Sequence, residues 1–292
     1  MTGPSQSHDD GRPGTTGAPL AEPPPTAFGH SGRRLWLEVA IAIGAVIIGG
    51  WAIIQGGRSL AGALAAKLPY DVDRALGALA SDSVLGGARV CTNPRLVGAV
   101  TAVVSHLEVR LDPVYHPLTV RVVEDETVNA FALPGGHVFV MTGLLRAVES
   151  PDELAGVLGH EIAHVVQRHG IQRIAQSMWV GFLLSWVTGG GLAEDLTSQG
   201  AALLTLKFGR DQELESDSIG LDLMARAGYD PTRFPDFFAR LGDAGLPAFL
   251  STHPDPGDRV AELRKVAGGM RPERPQVGVP SLEDLRAPCE GP

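Results

Sequence analysis

The sequence predicts an α+β protein in which one transmembrane helix precedes a mostly helical domain with a small β-sheet. Three observations support this fold class. Residues 35–57 form an apolar run that is long enough to cross a bilayer. Residues 150–170 and 209–231 carry apolar side chains at helical spacing. Residues 129–145 have the pattern of two short strands around a Pro-Gly-Gly turn.

Composition limits the possible functions. The chain has 292 residues, of which 44% are hydrophobic, and it can therefore bury a sizeable core. The formal net charge is −9 and the sequence shows no basic stripe, so we expect no nucleic-acid partner. The two cysteines, Cys91 and Cys289, lie far apart in sequence, which excludes a Cys-x-x-Cys metal site and a dense disulfide framework. Any bound metal must be held by histidine and carboxylate side chains.

The N-terminal region predicts a disordered tail followed by a membrane anchor. Residues 1–34 are rich in Pro, Gly, Ser and Thr and show no apolar period, which is typical of disorder. Residues 35–57, "LWLEVAIAIGAVIIGGWAIIQGG", contain Glu38 as their one charged residue and predict a transmembrane helix. A cleaved signal peptide is one alternative, although the run is long and begins late. A buried core helix is the other.

The placement of arginines predicts the orientation of this anchor. Arg33 and Arg34 precede the apolar run, whereas Arg58 alone follows it closely. Positive charges near a span favour the cytoplasmic side. We therefore expect a single-pass protein with its N-terminal tail inside and its domain extracytoplasmic, anchored in the inner membrane if the source is bacterial. An oxidising compartment permits a disulfide between Cys91 and Cys289, which would tie the C-terminal tail to the start of the domain.

The rest of the chain divides into a domain and a tail. Residues 68–268 have the composition of a globular domain without an internal repeat. Residues 269–292 are Pro-rich, and we expect them to form a loosely attached tail. Within the domain, residues 129–145, "NAFALPGGHVFVMTGLL", predict two short strands that lead into a helix.

That helix is predicted to start at Ser150 and to stop near Gly170. Ser150 and Glu153 form a capping box, and Pro151 occupies the first helical position, where proline is favoured. Gly170 lies where a left-handed residue would end the helix.

The stretch "GHEIAHVV" within this helix has the pattern of a zinc site. His160 and His164 are four residues apart, so both project from one face and can bind one metal ion, with Glu161 beside it. The alternative is a buried helix whose histidines form hydrogen bonds with their neighbours. His169 lies off this face, and we expect it to interact with the C-terminal end of the helix instead.

A second helix, predicted between Gly209 and Pro231, offers the remaining ligand. A catalytic zinc site needs a third protein ligand and an open fourth position. Glu213 and Asp217 are four residues apart and share a face, so Glu213 is the candidate ligand and Asp217 can hold the outer ring nitrogen of a ligand histidine. Glu215 would then point elsewhere. Without the histidine motif, a solvated acidic helix start would explain the same residues.

A last segment, "LSTHPDPGDRVAEL" at residues 250–263, places His253 before Arg259 at the start of another helix. With this segment the chain resembles the membrane-associated gluzincin metallopeptidases of the HtpX, BepA and CAAX-prenyl-protease type. In that family an Asn-Ala-Phe-Ala-x-Pro-Gly-Gly hairpin precedes His-Glu-x-x-His, and a Glu-x-x-x-Asp box and a Ser-Thr-His-Pro segment follow it. All four elements occur here in that order, over most of residues 68–265.

The resemblance implies a zincin-like metallopeptidase domain with one Zn²⁺ ion per chain. It assigns His160, His164 and Glu213 to the metal, and Glu161 to general-base catalysis. It also implies that Asp217 forms a hydrogen bond with the outer ring nitrogen of a ligand histidine. These implied roles agree with those that the residue spacing suggests.

The resemblance further implies roles beyond the metal ligands. His253 would approach the zinc, either as a removable fourth ligand or as a stabiliser of the oxyanion, and Arg259 would support its loop. A cap on the following helix is the alternative role for His253. The family is expected to bind substrate backbone along an edge strand. The residues predicted to form that edge are His137, Val138, Phe139, Val140 and Met141.

Together these features predict a zinc-dependent metalloendopeptidase that hydrolyses peptide bonds in extended or misfolded membrane or envelope proteins. The resemblance alone implies a role in protein quality control. The expected partners are protein or peptide substrates and, through one N-terminal span, the membrane; the sequence indicates no oligomeric state. One alternative is a catalytically silent zinc-binding or chaperone-like module, although Glu161 is present. Another is a prenyl-protein processing protease, although such an enzyme is expected to enclose its site with several spans.

Overall fold

The computed structural model describes residues 28–115, 117–188, 207–243, 256–273 and 278–290. The described residues fall into two units, one within residues 1–52 and the other within residues 53–292. The described part of the second unit is mostly helical and contains a small sheet. The predicted fold class is therefore confirmed.

The helices of the described residues are α1 (Phe28–Ala65), α2 (Tyr70–Leu85), α3 (Pro94–Glu108), α4 (Thr142–Ala147), α5 (Pro151–Val166), α6 (His169–Thr188), α7 (Arg210–Ala227), α8 (Arg233–Asp243), α9 (Pro256–Gly268) and α10 (Leu282–Leu285). The strands are β1 (Thr119–Val123), β2 (Ala130–Leu133) and β3 (His137–Met141).

Helix α1 is the candidate membrane span. Its segment Arg34–Ala65 has 32 residues and is the one helix among the described residues that is long and apolar enough to cross a membrane. The helix begins at Phe28, so residues 28–34 are helical and do not belong to the predicted disordered tail. Once a helix has nucleated, each further residue adds a backbone hydrogen bond, which extends it beyond its apolar run.

The sheet has the strand order β1-β3-β2 among the described residues, with β1 parallel and β2 antiparallel to β3. β2 and β3 form the predicted hairpin, whose turn uses Gly135 and Gly136 at φ of 76° and 86°. β3 is an interior strand, so the prediction that His137–Met141 forms the sheet edge is wrong. The reason is β1, a short strand at Thr119–Val123 that pairs with the other side of β3 and that the sequence pattern did not reveal.

Both faces of the sheet are packed against helices, and successive residues of a strand point to opposite faces. Phe139 of β3 packs on one face with Ala80 of α2. On the other face, Val138 and Val140 join the main core, to which α3, α5, α7 and α8 also contribute. Helix α5 also contacts β2, the edge strand, and this contact positions the functional site.

The C-terminal residues are attached more firmly than the sequence predicts. Leu285 of α10 is fully buried in the main core. A disulfide joins Cys289 to Cys91, just before α3. The prediction that residues 269–292 form a loosely attached tail is therefore wrong for the part that the structure describes. Proline-rich composition disfavours regular structure, but it does not exclude packing of single apolar side chains into a core.

Candidate active site

Helix α5 carries the histidine motif and begins where the sequence predicts. The Ser150 hydroxyl oxygen accepts a hydrogen bond from the Glu153 amide at 3.2 Å, which satisfies one of the free amides of the first turn. The helix ends at Val166, earlier than the predicted Gly170. The left-handed residue that follows is Arg168, with φ of 57°.

Helix α7 crosses α5 at a pair of glycines. A Cβ atom on Gly159 of α5 would lie 3.1 Å from the carbonyl oxygen of Gly220 on α7, so little room remains between the two backbones for a side chain. This close crossing lets Glu213 on α7 reach the two motif histidines on α5. Ligands from two helices distant in sequence are brought together in this way.

His160, His164 and Glu213 bring three ligand atoms together in the buried interior. The Nε2 atoms of His160 and His164 are 3.1 Å apart. Glu213 Oε2 lies 3.5 Å from His160 Nε2, and Glu213 Oε1 lies 3.6 Å from His164 Nε2. Ligands that bind one zinc ion tetrahedrally at about 2.0–2.1 Å lie about 3.4 Å from each other. The donor set and its spacing therefore fit a zinc ion.

Asp217 and Arg259 contact His160 at its other ring nitrogen. His160 Nδ1 lies 2.9 Å from Asp217 Oδ1, and Arg259 donates through Nε and Nη2 to the two Asp217 oxygens at 2.6 Å each. Arg259 Nη1 also lies 2.7 Å from Glu213 Oε2. Burial raises the pKa of Asp217, but the hydrogen bonds with His160 and Arg259 outweigh it and hold that pKa below its usual value. A charged Asp217 favours a proton on His160 Nδ1, which leaves the lone pair on Nε2, the atom that faces His164 and Glu213.

Two aromatic rings contact this polar cluster. The Phe208 ring stacks on His164 with 3.9 Å between centroids, and the Arg259 guanidinium lies 4.6 Å from the Phe238 ring centroid. A cavity of about 530 Å³ between α7 and α9 is lined by charged side chains, among them Glu213, Asp217 and Arg259, and by apolar ones, among them Leu221 and Leu263. Because His160, Glu213 and Arg259 are buried, the electrostatic contacts within the cluster are stronger than they would be in water.

Glu161 lies beside the edge of β2 that no other strand of the described residues pairs with. Its Oε2 accepts a hydrogen bond from the Ala132 amide at 3.1 Å. In an antiparallel pair, alternate residues bond to the partner strand, and the Met141 amide donates to the Asn129 carbonyl. The backbone groups of Ala130 and Ala132 therefore point away from β3. The edge next to the site belongs to β2, one strand away from the predicted position.

His169 lies against His164, contrary to the sequence-based expectation. The Nδ1 atoms of the two rings are 2.9 Å apart, and His169 Nε2 lies 3.3 Å from Glu215 Oε2. Burial lowers the pKa of His169, and this effect exceeds the opposite effect of the Glu215 carboxylate. The helical period of α5 could not place this residue because the chain turns at Arg168. Glu215, expected to point away from the site, is its partner.

The structure thus brings together six residues that the sequence singled out. They are His160, Glu161, His164, Glu213, Asp217 and Arg259. His253, the remaining predicted catalytic residue, lies outside the described residues, and its role stays a prediction. The sequence missed the Ala132 amide and the contact between His164 and His169, because neither follows from spacing along one helix.

Comparison with known proteins decides the family. A family model described as peptidase family M48 matches residues 92–267, more than half of the chain. The chain belongs to peptidase family M48. All six site residues lie within the M48 match. Membership confirms the predicted family of metallopeptidases, and it implies a metal at the site.

Named relatives agree with the M48 assignment. The mitochondrial metalloendopeptidase OMA1 of Arabidopsis thaliana is 40% identical over 154 residues, which cover 52% of this chain and 32% of the relative. The beta-barrel assembly-enhancing protease of Yersinia pestis is 32% identical over 224 residues, 71% of this chain and 46% of the relative. The corresponding Escherichia coli protease is 33% identical over 221 residues, 68% and 44% of the two chains. This M48 chain therefore spans less than half the length of these three relatives.

Proposed function

We propose that the protein is a zinc-dependent metalloendopeptidase that cleaves extended or misfolded membrane or envelope proteins, with one zinc ion per chain. The observation that carries this proposal is the convergence of His160, His164 and Glu213 with Glu161 beside β2, an edge strand among the described residues. Two imidazoles and one carboxylate are a common protein ligand set of catalytic zinc, and they leave a fourth position open. The M48 match supports the same assignment.

The chemistry needs a Lewis acid and a base. His160, His164 and Glu213 would hold the zinc ion, which would supply a Lewis acid for the scissile carbonyl and would lower the pKa of a water molecule to about 7. Glu161 takes a proton from that water and passes it to the leaving amine nitrogen. The Ala132 amide holds the Glu161 carboxylate in place by a hydrogen bond. Asp217 and Arg259 keep His160 in the tautomer that presents Nε2.

The substrate would dock as an additional strand on β2. No strand of the described residues pairs with this edge, which the backbone groups of Ala130 and the Ala132 carbonyl face. The Ala132 amide is bonded to the proposed base. A docked strand is held mainly by main-chain hydrogen bonds, so recognition depends on an extended conformation more than on side chains. This mode suits unfolded segments, and it supports a role in protein quality control.

We further propose a single-pass location in the bacterial inner membrane with the catalytic domain extracytoplasmic. Helix α1 supplies the candidate span, and the paired arginines before it favour a cytoplasmic N-terminus. The disulfide between Cys91 and Cys289 supports an oxidising compartment for the domain.

The decisive experiment measures zinc content and cleavage of unfolded casein by the full chain in detergent. We expect about one zinc per chain, cleavage that a chelator abolishes, and recovery when zinc is restored. Cleavage that persists after complete metal removal would overturn the proposal. Stoichiometric zinc without any cleavage would favour the silent binding module, and cleavage restricted to prenylated peptides would favour the processing protease.

A further inference from the structure

His169 is a buried histidine that the proposed mechanism does not use. Its exposed fraction is 2%, although it lies outside the group of three candidate metal ligands. Its Nδ1 is 2.9 Å from His164 Nδ1, and its Nε2 is 3.3 Å from Glu215 Oε2. The Glu215 side chain is 49% exposed. A continuous path therefore runs from a half-exposed carboxylate through His169 to a candidate metal ligand.

The chain turn at Arg168 places His169 in this position. Arg168 is a non-glycine residue in the left-handed conformation, which is uncommon and needs support from its surroundings. The Arg168 guanidinium pairs with Asp73 and donates to the carbonyl oxygens of Ala66 and Leu68. These contacts hold the turn between α5 and α6, and α6 then begins with His169 directed back toward α5.

The hydrogen bonds along this path can be donated in one order that leaves His164 able to bind a metal. His164 must present the Nε2 lone pair to the metal, so its proton lies on Nδ1. That Nδ1–H then donates to His169 Nδ1, which must be unprotonated. The remaining His169 proton lies on Nε2 and donates to the Glu215 carboxylate. The Ser216 hydroxyl is a more distant neighbour of the same His169 nitrogen, at 3.4 Å.

We propose that His169 is a positioning residue that sets the tautomer and ring orientation of His164 for metal binding. The inference rests on the proposed zinc site and deepens it. It gives each ligand histidine its own carboxylate on α7: Asp217 contacts His160 directly, whereas Glu215 acts on His164 through His169. Partners of this kind fix a ligand ring and raise its basicity.

The test compares zinc affinity of full-length variants in detergent by competition with a chromophoric chelator. His169→Leu removes the acceptor for His164 Nδ1–H, and we expect zinc binding to weaken by about 10- to 100-fold. His169→Asn retains an oxygen close to the Nδ1 position, and we expect affinity within about threefold of wild type because that acceptor is restored. His106→Leu is the matched control, because His106 contacts the Tyr229 hydroxyl at 2.8 Å outside the metal site.

A spectroscopic readout separates positioning from general stability. With cobalt in place of zinc, the visible absorption of His169→Leu should change, while that of His169→Asn and His106→Leu should match wild type. All variants are compared at equal folded fraction of the metal-free protein. Equal zinc affinity of His169→Leu and wild type, or an Asn variant as weak as the Leu variant, would overturn the positioning role.

Glu213→Ala distinguishes failure of this inference from failure of the proposed function. If Glu213→Ala loses zinc while His169→Leu does not, the ligand set stands and the positioning role is wrong. If Glu213→Ala also binds zinc like wild type, the metal lies elsewhere and both proposals are wrong. We expect both variants to bind zinc more weakly, with the larger loss in Glu213→Ala because it removes a ligand.

Discussion

Gly220 of α7 lies directly against α5, and a Cβ atom on it would be 2.9 Å from the His160 amide nitrogen. The atom that this Cβ would meet belongs to the backbone, which cannot rotate away as a flexible side chain can. The separation of the two helices at the site is therefore set by the absence of side chains at Gly159 and Gly220. Because Glu213 comes from α7 and the histidines from α5, this separation also sets the ligand distances.

Gly220→Ala should push the two helices apart. We expect a loss of about 1–3 kcal/mol in the free energy of unfolding, as for other overpacked interiors, together with weaker zinc binding. Gly98→Ala on α3 is the control, because a Cβ atom there meets nothing within 4 Å. It should stabilise the protein by about 0.5–1 kcal/mol. Denaturant unfolding and zinc competition check both variants, and equal stability and zinc affinity of Gly220→Ala and wild type would contradict the expectation.

Glu161→Gln should separate chemistry from metal binding. The change removes the base and leaves all three ligands, so cleavage should fall by about 100- to 10,000-fold while zinc content stays the same. Glu213→Ala should lose both zinc and activity because a ligand is removed. Metal analysis and casein cleavage on the same samples provide the measurement. If Glu213→Ala keeps full zinc and activity, the ligand assignment fails and Glu215 becomes the next candidate.

Ala132→Pro tests the β2 edge. Proline removes an amide that faces the free edge and contacts Glu161, so no hydrogen bond between β2 and β3 is lost. We expect an intact fold and normal zinc content, with cleavage reduced by about 100-fold because the base loses its hydrogen bond and the proline ring lies at the edge where the substrate would dock. Circular dichroism and metal analysis serve as controls. Unchanged cleavage by a folded, zinc-loaded variant would argue against strand addition at β2.

His253→Ala tests the sequence-based proposal that this histidine closes the fourth zinc position at rest. Neutral imidazole is a good zinc ligand, so its loss should speed the removal of zinc by a chelator. If His253 also stabilises the transition state, kcat should fall in the same variant. A role as a helix cap would instead cost about 1 kcal/mol of stability and leave zinc access unchanged. The measurement is the rate of zinc removal by a chelator at matched folded fraction. A rate equal to that of wild type would exclude the closed state.

The proposed orientation in the membrane can be tested on intact spheroplasts of a bacterial host. We expect added protease to degrade the domain, because the paired arginines before α1 favour a cytoplasmic N-terminus. Thiol labelling before and after reduction should show that Cys91 and Cys289 are blocked only in the unreduced protein. A domain that resists protease until the membrane is opened would place it on the cytoplasmic side.

The sequence by itself determined the parts of this protein that depend on local interactions. A cap at Ser150 and a spacing of four residues between His160 and His164 place both histidines on one helical face, whatever surrounds the helix. The same spacing applies to Glu213 and Asp217, and the Pro-Gly-Gly turn follows from the backbone freedom of glycine. The length of the apolar run likewise identified the candidate membrane helix.

Only the tertiary structure decided which of these elements meet. Because β1 pairs with β3, the strand edge next to the site belongs to β2. The turn at Arg168 places His169 against His164, and the packing of Leu285 holds the tail on the core. Local periodicity indicates which face of a strand or helix is apolar, but many other helices and strands could pack on that face. The partner is selected by burial and close packing across elements far apart in sequence, and these contacts have no local signature.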